Sequence, residues 1–357
     1  MDFKALYKNL TRGGRLTDRE AVELFESEDI FSIGELANRM SERRNKKYIH
    51  YIKNMHINPG NICTNRCKFC AFSRSEGEDG AYTFTIAEMV GKARAVKGKV
   101  SEFHIVGGLN PEMNTAFYCE LFRSLKEAVP GVAIKALTAV EIDYISKLSG
   151  TTVKKTLQEL REAGLDSMPG GGAEIFSAGV RNRLCPEKIP GRRWLQIMET
   201  AHGIGLKTTA TMLFGHVESY RDRVDHLRRL RDLQDKTGGF LAFIPLPFHP
   251  KNTDISDAHP VSGLDVLKTI AISRLYLDNF DHIKAYWIMT GEKLAQLCLT
   301  YGADDLDGTV IEEKITHAAG GETKEVLTVD EIVNMIKKAG KTPVERDTFY
   351  KRLKVIN

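Results

Sequence analysis

Residues 51–72 read YIKNMHINPGNICTNRCKFCAF. The first seven, Tyr51–Ile57, are a short β-rich run. A Pro-Gly turn then leads into three cysteines within eight residues. The same pairing, a short apolar run followed by an unusual string, recurs downstream. The expected strands are Tyr51–Ile57, Glu102–Val106, Ala133–Leu137, Leu165–Met168, Lys207–Leu213, Phe240–Pro245, Ile283–Trp287 and a short one near Gly302–Asp304. Helical periodicity fills the gaps: Ile86–Val96, Thr115–Ala128, Val153–Ala163, Trp194–Ile204, Ser219–Asp235, Leu264–Asn279 and Gly291–Thr300. Strands alternating with helices predict a parallel sheet, and eight is the number that closes a (β/α)₈ TIM-type barrel. No G-x-G-x-x-G follows any strand, which disfavours an open doubly wound sheet. The strings at the strand ends are NPGNICTNRCKFCAF, VGGLNP, LTAVE, PGGGAE, FGHVE, PLPFHP, AYW and GADD. Active sites of such barrels gather at those ends.

The flanks read as helical additions. Residues 1–47 form an expected N-terminal cap, 48–310 the barrel, and 311–357 a C-terminal helical extension. The 357 residues carry 51 Lys+Arg against 47 Asp+Glu. That balance points away from nucleic acid and anionic membranes as partners. The basic run Arg221–Arg231 is interleaved with Asp222 and Asp225, the pattern of a salt-bridged helix face. No apolar run reaches the ~18 residues of a membrane span. Asp2, Lys4 and Lys8 leave no room for a signal-peptide core, so a cytoplasmic enzyme is expected.

Cys63-x-x-x-Cys67-x-x-Cys70 is the strongest chemical signal. Three thiolates on one loop can ligate three corners of a cubane iron–sulfur cluster and leave one iron open. Zinc wants four ligands, and no second pair exists. Cys119, Cys185 and Cys298 are solitary and read as buried small hydrophobes.

This spacing, with Phe69 before the last cysteine, resembles the radical S-adenosylmethionine (SAM) superfamily. The resemblance covers about residues 48–310. It implies a [4Fe–4S] cluster on Cys63, Cys67 and Cys70, with SAM on the open iron. Gly107-Gly108 resembles the superfamily's glycine pair, although Leu109 stands where an acidic residue is usual. Gly170-Gly171-Gly172-Ala173-Glu174 resembles the same segment in menaquinone and deazaflavin enzymes. There Glu174 would accept the ribose hydroxyls of SAM. Phe69, Gly107, Gly108 and Glu174 are thus the expected cofactor contacts.

Three further strings, Phe243–Pro250, His282–Met289 and Gly302–Thr309, look like the aminofutalosine synthase family. That likeness implies a transferase of the futalosine route to menaquinone. It would add the 5′-deoxyadenosyl radical of SAM to 3-[(1-carboxyvinyl)oxy]benzoate, with aryl migration and decarboxylation. It also implies a low-potential electron donor such as flavodoxin or ferredoxin. The related dehypoxanthine futalosine cyclase and deazaflavin-type synthase are the alternatives within the group. An iron–sulfur electron carrier, which would need a fourth local cysteine, and a zinc-binding interaction module are those outside it.

A buried dianionic substrate needs cations or donors. The candidates are Arg183, Arg193, His216, His249, Lys284, Tyr286 and Asp304, with Arg181 and Arg192 in the same loop as two of them. Each Arg also reads as a solvated loop charge, and His216 as a structural donor in its turn. Phe248, Tyr286 and Trp287 are the expected aromatic walls. Thr138 and Glu141 read as a helix N-cap and its first-turn acid.

Overall fold

The computed structural model describes residues 2–356 apart from Ser256 and Asp257. The strands in chain order are β1 Tyr48–Ile52, β2 Asn54–Ile57, β3 Glu102–Ile105, β4 Ala133–Ala136, β5 Ser167–Met168 and β6 Lys207–Phe214. They continue with β7 Phe240–Pro247, β8 His282–Ile283, β9 Asp305–Gly308, β10 Thr342–Arg346 and β11 Arg352–Val355. Strands β2 to β8 make one sheet in sequence order, parallel throughout. Its two edges are joined through the segment after Asp304. Lys284 bridges Asp305 on one side, and Met55 bridges Ile311 on the other. The main chain of Ala285 donates to the carbonyl of Asp305 at 2.8 Å, and that of His56 to Ile311 at 2.8 Å. The eighth member of the barrel is therefore this irregular stretch. Its named strand starts at Asp305, one residue beyond the expected Gly302–Asp304.

The crossover helices start where short polar residues can satisfy free backbone amides. Thr85 with Glu88, Thr138 with Glu141, and Ser219 with Asp222 each form a reciprocal capping box. Three helices lie outside the expected patterns: Ala139–Leu148, Ala178–Leu184 and the single turn Trp287–Thr290, which cuts short the expected strand Ile283–Trp287. The first is the helix that the Thr138 cap opens.

Of the N-terminal helices, Asp18–Glu26 packs on Tyr220–Thr237 and Gly263–Tyr276, Ile30–Asn45 packs on Gly263–Tyr276, and Phe3–Thr11 packs on Ile30–Asn45. Phe25 stacks on Tyr220 at 5.0 Å, and Lys268 donates to the carbonyl of Phe25. One hydrophobic cluster runs from Leu6 to Ile336 through all three expected segments. After residue 310 the chain is not purely helical. The helices Ile315–Ala318 and Val329–Lys338 are followed by the hairpin β10–β11. β10 lies parallel to β1, with Tyr48 opposite Thr342, and builds a second sheet ordered β11-β10-β1-β9. That pairing joins residues nearly the whole chain apart, so no local period announces it. Among the described residues no helix is long and apolar enough to cross a membrane.

Candidate active site

A cavity of ≈ 350 Å³ opens at the C-terminal ends of the parallel strands. Its upper part is built from loops, its lower part from side chains on the strands themselves.

The loop part begins with the cysteines. The main chain fixes their segment at several points. Cys63 donates to Arg74 O at 3.1 Å, Thr64 to Leu109 O at 3.1 Å and Lys68 to Leu184 O at 2.9 Å. Cys63, Cys67 and Cys70 all line the cavity, and no other cysteine does. Burial pushes the Cys67 thiol up to about 12 and raises that of Cys63 as well. Thiolates there need a cation to hold them, and a metal centre deprotonates its thiol ligands outright. Three converging thiols with no fourth fit a [4Fe–4S] cluster with one open iron.

Gly108 is needed for the loop itself. A Cβ on it would stand 2.1 Å from Ile62 O, the residue before Cys63. A Cβ on Gly107 would stand 3.0 Å from Gly60 O. The glycine pair thus lets the cysteine loop lie against the end of β3, and both residues face the cavity. The Gly107 amide is already taken by the Glu141 carboxylate at 3.0 Å. Glu141 also closes the Thr138 capping box. Burial pushes its carboxyl up to about 7 against these hydrogen bonds.

The triple glycine is a packing device too. A Cβ on Gly170 would fall 2.6 Å from the backbone of Ala210 on β6. Beyond it Glu174 is held at φ 46°, a left-handed conformation unusual for a non-glycine residue. Its carboxylate faces the cavity and pairs with Lys188 at 2.5 Å. Burial opposes its charge, but Lys188 holds the carboxyl below the usual range. Lys188 also stands 4.7 Å above the Phe69 ring. Sequence spacing does not single Lys188 out, since it follows a loop with more conspicuous arginines.

The strand part is a layer of polar side chains. In register across β2, β3 and β4 lie His56, His104 and Lys135. The two imidazoles stack at 4.6 Å with 13° between planes. Lys135 pairs with Glu102 at 3.0 Å. Lys284 pairs with Asp307, both buried. Thr209, Thr211, Tyr286, His249 and Glu313 complete this part of the wall. His249 Nε2 lies 2.8 Å from Met289 O. Burial holds the Tyr286 phenol well above its ordinary value, so it stays a donor at neutral pH.

Of the expected site residues, Cys63, Cys67, Phe69, Cys70, Gly107, Gly108, Glu174, His249, Lys284 and Tyr286 come together here. Four stand elsewhere. Arg183 is exposed on the helix Ala178–Leu184. Arg193 pairs with Asp143 at 2.7 Å. His216 is buried within its own turn against Glu218 at 2.8 Å. Asp304 faces β1 and the C-terminal hairpin, where it pairs with Arg274 and His282 and accepts from Asn45 at 2.8 Å. Among the described residues no arginine lines the cavity; Arg181, the nearest in sequence to the triple glycine, is spent on the carbonyls of Ala173 and Ile189. Of the aromatic walls, Phe248 and Tyr286 line it, while Trp287 is fully buried behind and donates to Gly308 O at 2.8 Å.

A family model described as the radical SAM superfamily matches residues 57–230, and one described as the CofH/MqnC C-terminal region matches 237–357. The aminodeoxyfutalosine synthase of Thermus thermophilus is 42% identical over 98% of this chain and 95% of its own. The chain belongs to the radical SAM superfamily. Radical SAM enzymes use a [4Fe–4S] cluster and SAM. A 5-amino-6-(D-ribitylamino)uracil–L-tyrosine 4-hydroxyphenyl transferase of Methanoculleus marisnigri is 38% identical over 98% of this chain and 97% of its own. A cyclic dehypoxanthine futalosine synthase of Streptomyces coelicolor is 35% identical over 99% and 90%. Among solved structures, methylornithine synthase superposes with a TM-score of 0.77 at 18% identity, over 95% of this chain and 97% of that one. That likeness concerns the radical SAM fold alone.

Proposed function

We propose that this radical SAM enzyme is an aminodeoxyfutalosine synthase. It joins the 5′-deoxyadenosyl group of SAM to the vinyl carbon of 3-[(1-carboxyvinyl)oxy]benzoate, with aryl migration and loss of the carboxyl. The products are 6-amino-6-deoxyfutalosine and methionine. The observation that carries this reading is the 42% identity, over nearly all of both chains, to a curated synthase. Relatives with the other two activities stand at 38–39% and at 35%.

Cys63, Cys67 and Cys70 would hold the cluster, and Phe69, Gly107, Gly108 and Glu174 would hold SAM. Bound SAM supplies the deoxyadenosyl radical on one-electron reduction, which an external low-potential donor such as flavodoxin or ferredoxin would provide. Glu174 presents an acceptor with no proton, suited to paired hydroxyls. Lys188 keeps that carboxylate ionised. Phe248 and Tyr286 offer apolar faces to a benzoate ring and exclude water from the reacting carbons. Lys284 and the Tyr286 hydroxyl are the donors for substrate oxygen, while His249, its Nε2–H held by Met289 O, shapes the same wall.

The test is anaerobic turnover of adenine-labelled SAM with the enol ether and, in parallel, with dehypoxanthine futalosine. Label should appear in a benzoate-containing nucleoside, in step with methionine. Label emerging as free 5′-deoxyadenosine, with the enol ether untouched and dehypoxanthine futalosine consumed, assigns the cyclase instead.

A further inference from the structure

The cavity is lined by three lysines, Lys135, Lys188 and Lys284, and by four acids, Glu141, Glu174, Asp307 and Glu313. Each lysine already has a carboxylate partner: Glu102, Glu174 and Asp307. A dianion entering this space finds no spare fixed cation. What it does find is an unsatisfied buried nitrogen. His56 is 6% exposed, and its Nε2 has no hydrogen-bond partner among the described residues. A buried polar atom left unpaired costs about 1–3 kcal/mol. The His56 ring lines the cavity, and an unpaired buried nitrogen on such a ring calls for an explanation, of which a missing ligand group is one.

We infer that the stacked pair His56–His104 seats one carboxylate of the substrate and takes up one proton when it binds. The identity of the ligand as an aromatic dicarboxylate rests on the proposed function; the seat itself rests on the geometry. In the free protein both rings are neutral. Burial is the main cause, with Lys284 acting in the same direction on His56, and His56, Lys135 and Lys284 on His104. The acids facing them, Glu313, Asp307 and Glu102, only partly oppose this on His56. A carboxylate within hydrogen-bond reach of His56 Nε2 reverses the balance by favouring the imidazolium. Stacking at 4.6 Å lets the pair carry one proton and not two, since two adjacent imidazoliums repel. The proton comes from solvent, and no bond to carbon changes.

The linkage has a definite sign. The rings' pKa is low in the free enzyme and raised in the complex. Binding is therefore tightest at low pH and weakens as pH rises between the two values, by about tenfold per pH unit where uptake is complete.

The experiment uses the reconstituted enzyme with SAM bound and isophthalate, a non-reactive aromatic dianion, as probe. Calorimetry at pH 7.5 in two buffers of different ionisation enthalpy counts protons. Uptake approaching one per isophthalate is expected. His56→Gln and His104→Asn should each remove the uptake and weaken isophthalate at least tenfold. Their cluster absorbance and SAM affinity should be unchanged, which shows that they are folded. Glu313→Gln should keep the uptake. Zero uptake in the unmodified enzyme, or uptake that survives both histidine changes, or uptake lost only in Glu313→Gln, overturns the inference. Product formation without uptake overturns the histidine seat and leaves the synthase reading standing. Proton-linked isophthalate binding with no adenosylated product does the reverse.

Discussion

The cavity has two walls made in different ways. The loop wall is backbone chemistry. Glycines at 107, 108 and 170 bring main chains together, and three thiols hang from one eight-residue segment. The strand wall is side-chain chemistry, with His56, His104, Lys135, Lys284 and Asp307 arriving from five different strands or their ends. A loop wall tolerates change in the barrel but not in its own few residues. A strand wall is cooperative, so removing one charge strands another in a place without water. Substitutions should separate the two.

The largest effect belongs to the loop wall. Cys67→Ala should abolish both the visible iron–sulfur absorbance and all turnover. Cys119→Ala, Cys185→Ala and Cys298→Ala, each buried outside the cavity, should keep both. Full iron content and turnover in Cys67→Ala protein would sink the ligand assignment.

In the strand wall, Lys284→Met should destabilise the fold by about 3–5 kcal/mol, because the buried carboxylate of Asp307 loses its partner. Lys284→Met combined with Asp307→Asn, which keeps a side chain suited to φ 70°, should recover most of that loss in chemical denaturation while turnover stays absent. Equal instability in single and double variants would mean that the pair acts by shape and not by charge.

The difference between the walls also explains what the sequence discloses. Cysteine spacing is local, so the proposed cluster ligands are legible directly. So is the cap of Thr138 with Glu141, which needs only a residue and its neighbour three places on. The layer of His56, His104 and Lys135 exists only once three strands are in register. Its trace in the sequence is a polar residue at the third position of each of the short runs NMHI, EFHI and AIKA. Polar residues within strands so deeply buried ask for a partner or a ligand. The string Gly302-Ala303-Asp304-Asp305-Leu306-Asp307 hides its meaning for a related reason. Asp304 meets Arg274, Asp305 meets Arg346, and only Asp307 reaches the cavity, where it meets Lys284. The irregular backbone, with Asp307 at φ 70°, breaks the alternation that would have sorted them. The arginines stand away from the cavity for separate reasons: Arg183 is exposed, Arg193 is held by Asp143 and Arg181 by backbone carbonyls, while Lys188, the loop cation that does line it, carries no motif.

Glu141 sits where the walls join and gives a pH-dependent test. Its carboxyl is pushed from 4.5 to about 7 in the folded state by burial. A folded-state pKa above the unfolded one means that the protonated form stabilises the fold. That contribution is intact below about pH 4.5, declines as pH rises, and is gone once pH passes about 7. At 1.36 kcal/mol per unit the swing is roughly 2–4 kcal/mol. Glu141→Gln has no such titration. The stability of the unmodified protein minus that of Glu141→Gln should therefore fall between pH 5 and pH 7.5. A constant difference across that range would show that Glu141 is ionised in the fold throughout.

The smallest effect sharpens the comparison most, because it should register on one wall alone. Glu174 belongs to the loop wall, held at φ 46° and paired with Lys188 at 2.5 Å. Glu174→Gln keeps shape and volume but removes the charge that would accept from SAM. A hydrogen bond to a charged group is worth about 1.5–3 kcal/mol, so SAM should bind roughly tenfold to a hundredfold more weakly. The cluster, carried by a separate segment, should remain at full occupancy. Isophthalate should bind as before, since its proposed seat is built from β2 and β3 and needs nothing from Glu174. Equilibrium dialysis of SAM beside isophthalate calorimetry reads both walls in one protein. Should the Gln variant bind SAM undiminished, Glu174 serves Lys188 and the loop alone. Should it lose isophthalate as well, the two walls are one coupled network, and the division between backbone-built and side-chain-built halves does not hold.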